Sequence, residues 1–230
     1  MKKLVVLSGA GVSAESGIKT FRDSDGLWEN YNVRDVADIE GWTRNKKLML
    51  DFYNERRRQL KDSRPNRAHE IIAELERWFD VTVVTQNVDN LHEKAGSSKV
   101  IHLHGELTKI RPEDRDDSGI VDIGYREVNL GETDYRGVQM RPHIVWFGEA
   151  VPMMTPAIEA VSKADIFLII GTSLNVYPAA GLFHYVSYGI PIYLIDPQPI
   201  SIGYGNFVQI REKATEGMRR LKEILIENKQ

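Results

Sequence analysis

Short apolar, β-branched runs recur along the chain, at 4–7, 81–84, 100–103, 144–147, 166–170 and 192–195. A strand with one wet face alternates apolar and polar residues, so continuous runs mark strands covered on both faces. Between them lie stripes at helical spacing. Ala68, Ile71, Ile72, Leu75, Trp78 and Phe79 form one, with Pro65 just ahead of it. Leu48, Phe52, Tyr53 and Leu60 form a second, and Met218, Leu221, Ile224 and Leu225 a third. This alternation predicts an α/β fold: an open, Rossmann-like parallel sheet with helices on both faces.

A chain of 230 residues suits one large α/β unit carrying a small inserted module. Residues 23–42 mix Gly, Asn, Asp and aromatics, and 106–141 are polar, Gly-dotted and without strong periodicity. Insertions around 23–62 and 106–141 are therefore expected to build the module, the whole of 1–230 forming a single unit. A net charge of −3 leaves no basic excess to neutralise phosphates, which argues against a nucleic-acid partner. Zero cysteines exclude disulfides, thiolate nucleophiles and thiolate metal sites. Lys2 and Lys3 before 4–7 mimic a secretory signal, but its apolar region needs about 7–15 residues. Nothing approaches the length of a membrane span. A cytoplasmic protein with no membrane partner is expected.

The first run leads into Gly9-Ala10-Gly11-Val12-Ser13-Ala14. Closely spaced glycines between a strand and a helix start let backbone N–H groups approach a pyrophosphate: Gly9 for a tight turn, Gly11 to remove a side chain from the phosphates' path. The alternative is a turn with no ligand. A dehydrogenase should show a second strand ending in Asp or Glu about 20 residues on. That position falls near Glu29, with no strand before it. A hydride-transfer site is disfavoured, and a dinucleotide covered by a long loop is favoured.

The ordered motifs resemble the sirtuin family. The stretch from Gly9 through Ser13, Glu15 and Gly17 to Phe21-Arg22 and Trp28 is similar to the sirtuin NAD-binding opening. Thr85-Gln86-Asn87-Val88-Asp89-Asn90-Leu91-His92 resembles the nicotinamide-site motif, and His102-Leu103-His104-Gly105-Glu106-Leu107 the catalytic-histidine motif. Arg141-Pro142-His143-Ile144-Val145-Trp146-Phe147-Gly148-Glu149 is similar to the strand lining the acyl-peptide groove. Gly171-Thr172-Ser173 and Asp196-Pro197-Gln198 match positions that hold the adenosine half, with the resemblance running on to Ala214. It implies an NAD-dependent protein-lysine deacylase acting on acylated-lysine proteins or peptides and releasing nicotinamide and an acyl-ADP-ribose ester. His104 is implied as general base and Asn87 and Asp89 as the nicotinamide-side pair. Val145, Phe147, Gly148 and Glu149 are implied in the groove.

Individual residues leave alternatives. Asn87 and Asp89, just past a strand, also suit turns and helix caps. Histidine suits a base because its ordinary pKa lies near operating pH, yet an isolated strand-end histidine, such as His102, is more often structural. Tyr53 and Arg56, three residues apart, share a helix face. In class III sirtuins Tyr-x-x-Arg in this region binds the distal carboxylate of succinyl- or malonyl-lysine; the alternative is a solvated basic helix. The chain departs from the family in lacking the two Cys-x-x-Cys pairs of a structural zinc, so no metal is expected. Packing of Ile120, Val121, Ile123, Tyr125, Val128 and Tyr135 is expected instead. Thr20 and Asp196 depart from the commoner Asp and Asn. An NAD glycohydrolase or ADP-ribosyltransferase on the same scaffold is the main rival; the groove motif favours deacylation.

Overall fold

A computed structural model describes residues 1–19, 31–114, 119–200 and 207–227. Its larger sheet contains six parallel strands: β1 (Lys3–Ser8), β2 (Asp80–Thr85), β3 (Val100–His102), β7 (Ile166–Ile170), β8 (Ile192–Ile195) and β9 (Phe207–Ile210). Their order is β3-β2-β1-β7-β8-β9. The chain builds outward from β1 on one side, then returns to β1 and builds outward on the other. That reversal opens a crevice at the carboxyl ends of β1 and β7, where doubly wound sheets bind ligands.

The continuous runs are buried on both faces, as their pattern requires. Leu4, Val6, Val81, Val83 and Leu168 join one core with α4 (Arg67–Glu74) and α7 (Ala214–Glu227). Val5, Leu7, Val84, Phe167 and Ile169 point the other way, against α6 (Met154–Ser162) and the 3-10 turn Ala179–Tyr185. α4 starts sharply because the Asn66 side chain accepts from the Ala68 amide and His69 Nδ1 accepts from the Asn66 amide.

A third core lies away from this sheet. It joins α1 (Val33–Val36), α2 (Ile39–Arg44) and α3 (Lys46–Asp62) to an antiparallel sheet of β5 (Val121–Asp122), β4 (Gly105–Pro112) and β6 (Met140–Ile144). The run at 144–147 therefore does not form a strand of the parallel sheet: Ile144 ends β6, and Phe147 bridges to Asp38. β9, half-exposed at the sheet edge, has no counterpart among the sequence runs. Of the residues expected to pack the module, Val128 is fully buried and Ile123 and Tyr125 lean on its core. Ile120, Val121 and Tyr135 are exposed, so that expectation fails for them. Polar ties do part of the work. Asn54 on α3 exchanges two 2.9 Å bonds with the Val128 backbone, and Gln139 accepts from the Gly131 amide at 2.7 Å. No helix among the described residues is long and apolar enough to cross a membrane.

Candidate active site

The expected site residues gather at the carboxyl edge of the parallel sheet. Two 3-10 turns, Ala10–Val12 and Ala14–Ser16, follow β1 in place of the expected helix start. The glycines are required by a close contact with the neighbouring loop. Gly9 is extended, with φ −128, and a β-carbon there would lie 2.7 Å from Thr172 Cβ. One at Gly11 would lie 2.8 Å from the Gly171 Cα, and Gly171, at φ 62, would meet the Val12 nitrogen at 2.3 Å. The amides of Gly9 and Gly11 donate to the carbonyls of Ile170 and Gly171, and that of Val12 to Gly9. These glycines let two loops touch backbone to backbone across the crevice; the space beside Gly11 faces Gly171.

Beneath this floor lies a buried polar network. Ser13, fully buried, donates to Asp89 Oδ2 at 2.9 Å and accepts from Asn87 Nδ2 at 3.1 Å. His69 Nδ1 accepts from a backbone amide, so in the neutral ring Nε2 carries the proton and faces Ser13 Oγ at 3.4 Å. His92 stands edge-on to His69, ring centroids 4.9 Å apart, with Nε2 2.9 Å from Ser8 Oγ. Ser8 in turn donates to Thr85 at 2.9 Å. Asp89 takes the turn role open to it: Oδ1 accepts from the Leu91 amide at 3.1 Å while Oδ2 accepts from Ser13. Burial pushes its carboxyl up, against the lowering by those two donors. Nothing in the spacing of His69 and His92 marks them as members of this network.

Burial holds His92 well below the usual value and lowers His69 to about 4. Between pH 6.5 and 4 the unfolded chain therefore binds protons that the folded chain refuses. The stability from keeping these rings neutral is full above pH 6.5 and is lost as pH falls, by about 3 kcal/mol from His69 alone at pH 4. Urea melts at pH 7.5 and 5 should show the drop, and His69→Gln should flatten it. His102 opposes the trend. Burial would lower it, but the 2.7 Å bond and the charge of Glu93 raise it.

His104 sits at the end of the β3 segment, where Gly105, with φ +80, reverses the chain into β4. A β-carbon at Gly105 would lie 2.0 Å from the His143 carbonyl, so only glycine fits after this histidine. His104 Nδ1 is 2.9 Å from the Gln86 carbonyl, which can only accept. The proton therefore resides on Nδ1, leaving Nε2 as the basic nitrogen. Burial holds the ring below the usual histidine value, the Gln86 bond acting against it, so the free base dominates at neutral pH. Gln86 Nε2 donates to Thr172 Oγ1 at 3.1 Å, and the Val88 carbonyl accepts from the Leu107 amide at 2.8 Å. His102 is held between the Asn87 carbonyl and Glu93, a structural post.

The groove segment runs beside this base: the Val145 amide donates to the His104 carbonyl at 2.9 Å. Phe147 and Gly148 are exposed. Glu149 does not offer its carboxylate to the groove as expected. It is clasped by Arg141 at 2.8 and 2.9 Å and accepts from the Trp146 amide at 2.9 Å. Glu15 likewise accepts from the Thr215 amide at 2.9 Å, beside the buried Ala214, tying the loop to α7. Ser173 is exposed. Asp196 stands at the end of β8, its half-buried carboxyl pushed up by burial and accepting from the Gln198 amide at 2.9 Å, with Pro197 exposed between. Gly17 is left-handed and open. Thr20, Phe21, Arg22 and Trp28 lie outside the described residues.

On α3, Tyr53 is buried and accepts from Trp146 Nε1 at 2.8 Å. Arg56 pairs with Glu55 at 2.9 Å through Nη2, while its buried Nε and Nη1 have no acceptor among the described residues. A solvated basic helix does not describe this pair, although Arg58 is exposed and paired with Glu127. Arg57 is fully buried, with Nε donating to the Leu107 carbonyl at 2.6 Å.

The sequence model of the Sir2 family matches residues 9–178. The chain belongs to the Sir2 family. It is 56% identical to an NAD-dependent protein deacylase of Bacteroides thetaiotaomicron, across 98% of this chain and 99% of that one. It is 51% identical to one of Helicobacter pylori, across 99% of each. Among solved structures, a Sir2 homologue in complex with ADP-ribose superposes with a TM-score of 0.90 at 36% identity, covering 99% of this chain and 93% of that one. A Sir2 protein bound to acetylated peptide superposes with a TM-score of 0.81 at 29% identity, covering 96% and 92%. Family members of the zinc-binding kind need thiolates, which this chain lacks throughout. Among its described residues no group of three or more His, Cys, Asp or Glu could hold a metal ion.

Proposed function

We propose that this chain is an NAD-dependent protein-lysine deacylase whose acyl site favours succinyl- and malonyl-lysine while still accepting acetyl-lysine. The observation that carries the acyl preference is the pair of buried donors on Arg56, without acceptors among the described residues, beside Tyr53 on the same face of α3. Buried donors left without acceptors are costly, and a ligand carboxylate satisfies them.

The residues at the carboxyl edge suit the dinucleotide. Asp196 offers a half-buried carboxylate for a ribose hydroxyl, and the Asn87 carboxamide, held by Ser13, is the group we assign to the nicotinamide side. When bound, NAD would supply the glycosidic bond that breaks as the acyl oxygen displaces nicotinamide, and the ribose hydroxyl to which the acyl group passes. His104 accepts the hydroxyl proton at Nε2, and the Gln86 carbonyl holds its ring in the tautomer that can. Ser13 keeps Asn87 and Asp89 together from below. Val145 sets the peptide groove against the base.

Arg56→Met tests the acyl reading. A charge-assisted contact is worth about tenfold to a hundredfold in preference. The ratio of kcat/KM for succinyl- over acetyl-lysine peptides should fall by about that much, with Tyr53→Phe reducing it less. Equal loss of both activities would mean that Arg56 supports the fold or the cofactor loop.

A further inference from the structure

The phenol of Tyr53 can donate or accept, and its surroundings decide which. Its neighbour at 2.8 Å is the indole nitrogen of Trp146. An indole N–H only donates, so the Tyr53 oxygen must accept and its hydrogen is directed elsewhere. Among the described residues no acceptor receives that hydrogen. Burial raises the phenol further above its ordinary pKa, so the hydrogen stays in place across the working range. Tyr53 and Arg56 together present O–H and N–H groups in want of acceptors.

Trp146 is itself held firmly. The guanidinium of Arg141 lies 3.4 Å from its ring centroid, and Trp42 packs against the ring at 5.4 Å. Its backbone amide donates to Glu149, which Arg141 grips from the other side. The indole is fixed by its face, by its edge and at its backbone.

We infer that Trp146 is a positioning residue for acyl specificity: by donating to Tyr53 it makes the phenol an obligate donor, so the pocket selects an acyl chain ending in acceptors only. The inference rests on the acidic-acyl reading of Arg56 and Tyr53. It carries a chemical consequence that the arginine alone does not. A succinyl carboxylate offers acceptors in every direction, whereas the isosteric carboxamide turns N–H groups toward donors. Discrimination between these two near-identical shapes depends on Tyr53 being unable to switch roles.

The test compares lysine peptides bearing succinyl, its terminal carboxamide and acetyl groups. Trp146 is replaced by 3-benzothienylalanine, which keeps the bicyclic shape and removes only the N–H, and in a second variant by Phe. Thermal melting confirms that each variant folds. Loss of one neutral hydrogen bond should reduce the succinyl-over-carboxamide ratio of kcat/KM by about three- to tenfold, chiefly through KM. The same change made in Tyr53→Phe should move the ratio no further. An unchanged ratio, or a parallel loss for all three peptides, would overturn the assignment and leave Trp146 as packing. Arg56→Met, run alongside, separates the two ideas. If it lowers the succinyl-over-acetyl ratio while the benzothienyl variant does nothing, the acidic-acyl reading stands and the role of Trp146 falls. If Arg56→Met leaves that ratio unchanged, the reading fails and this inference with it.

Discussion

His104→Ala is expected to lower turnover of an acylated peptide by about 10²–10⁴-fold, the usual contribution of a general base, while NAD still binds. The Gln86 carbonyl holds the proton on Nδ1, so alanine removes the basic Nε2 held in place at this edge of the sheet. In the proposed mechanism the base acts after nicotinamide has left. Exchange of labelled nicotinamide should therefore survive in the variant when deacylation does not. Steady-state kinetics with titration calorimetry for NAD would check both halves. Near wild-type deacylation by the variant would remove His104 from the mechanism.

The largest effect on stability should come from Glu149→Ala. Its carboxylate is the counter-charge of Arg141, a guanidinium almost wholly buried and lying over Trp146. Breaking such a pair from one side strands a desolvated charge, at a cost of about 3–5 kcal/mol. That is a large share of the roughly 5–15 kcal/mol by which domains are stable. Replacing both partners by apolar residues of similar size, Arg141→Met with Glu149→Leu, should cost less than removing Glu149 alone, since the deeply buried Arg141 charge leaves with its partner and only Arg111, 3.4 Å from Glu149, loses a contact. Urea denaturation of the three variants would settle the order. A loss under about 1 kcal/mol for Glu149→Ala would mean that water reaches the pair.

Much of this site could be read from the sequence because parallel sheets place chemistry at fixed addresses. The runs at 4–7, 81–84 and 166–170 fixed the strands, and residues just past their ends had to share one edge. Side-chain partnerships were not legible. Glu149 sits in a groove motif, yet its carboxylate belongs to Arg141, a pairing set by the bend after β6. His69 looks like one more helix residue; only the fold reveals that it faces Ser13 from below. β9 escaped notice because an edge strand is half-exposed and its Phe-Val-Gln-Ile segment is short. The glycines of the first loop were noticed for close approach, and the fold adds a group that approaches them, the loop after β7.

That last contact bears on how this scaffold can be altered. Where Gly9 and Gly11 meet Gly171, the touching atoms are main-chain atoms, common to every amino acid. Side-chain substitution can wreck this seam but cannot tune it by degrees, because even one added methyl group collides with backbone. The loop ends of β1 and β7 thus form a joint without adjustment. Diversification has room elsewhere, on the α3 face that carries Tyr53 and Arg56, where side chains meet side chains, and at the exposed Phe147. A library built to redirect acyl choice should leave the seam alone and search there.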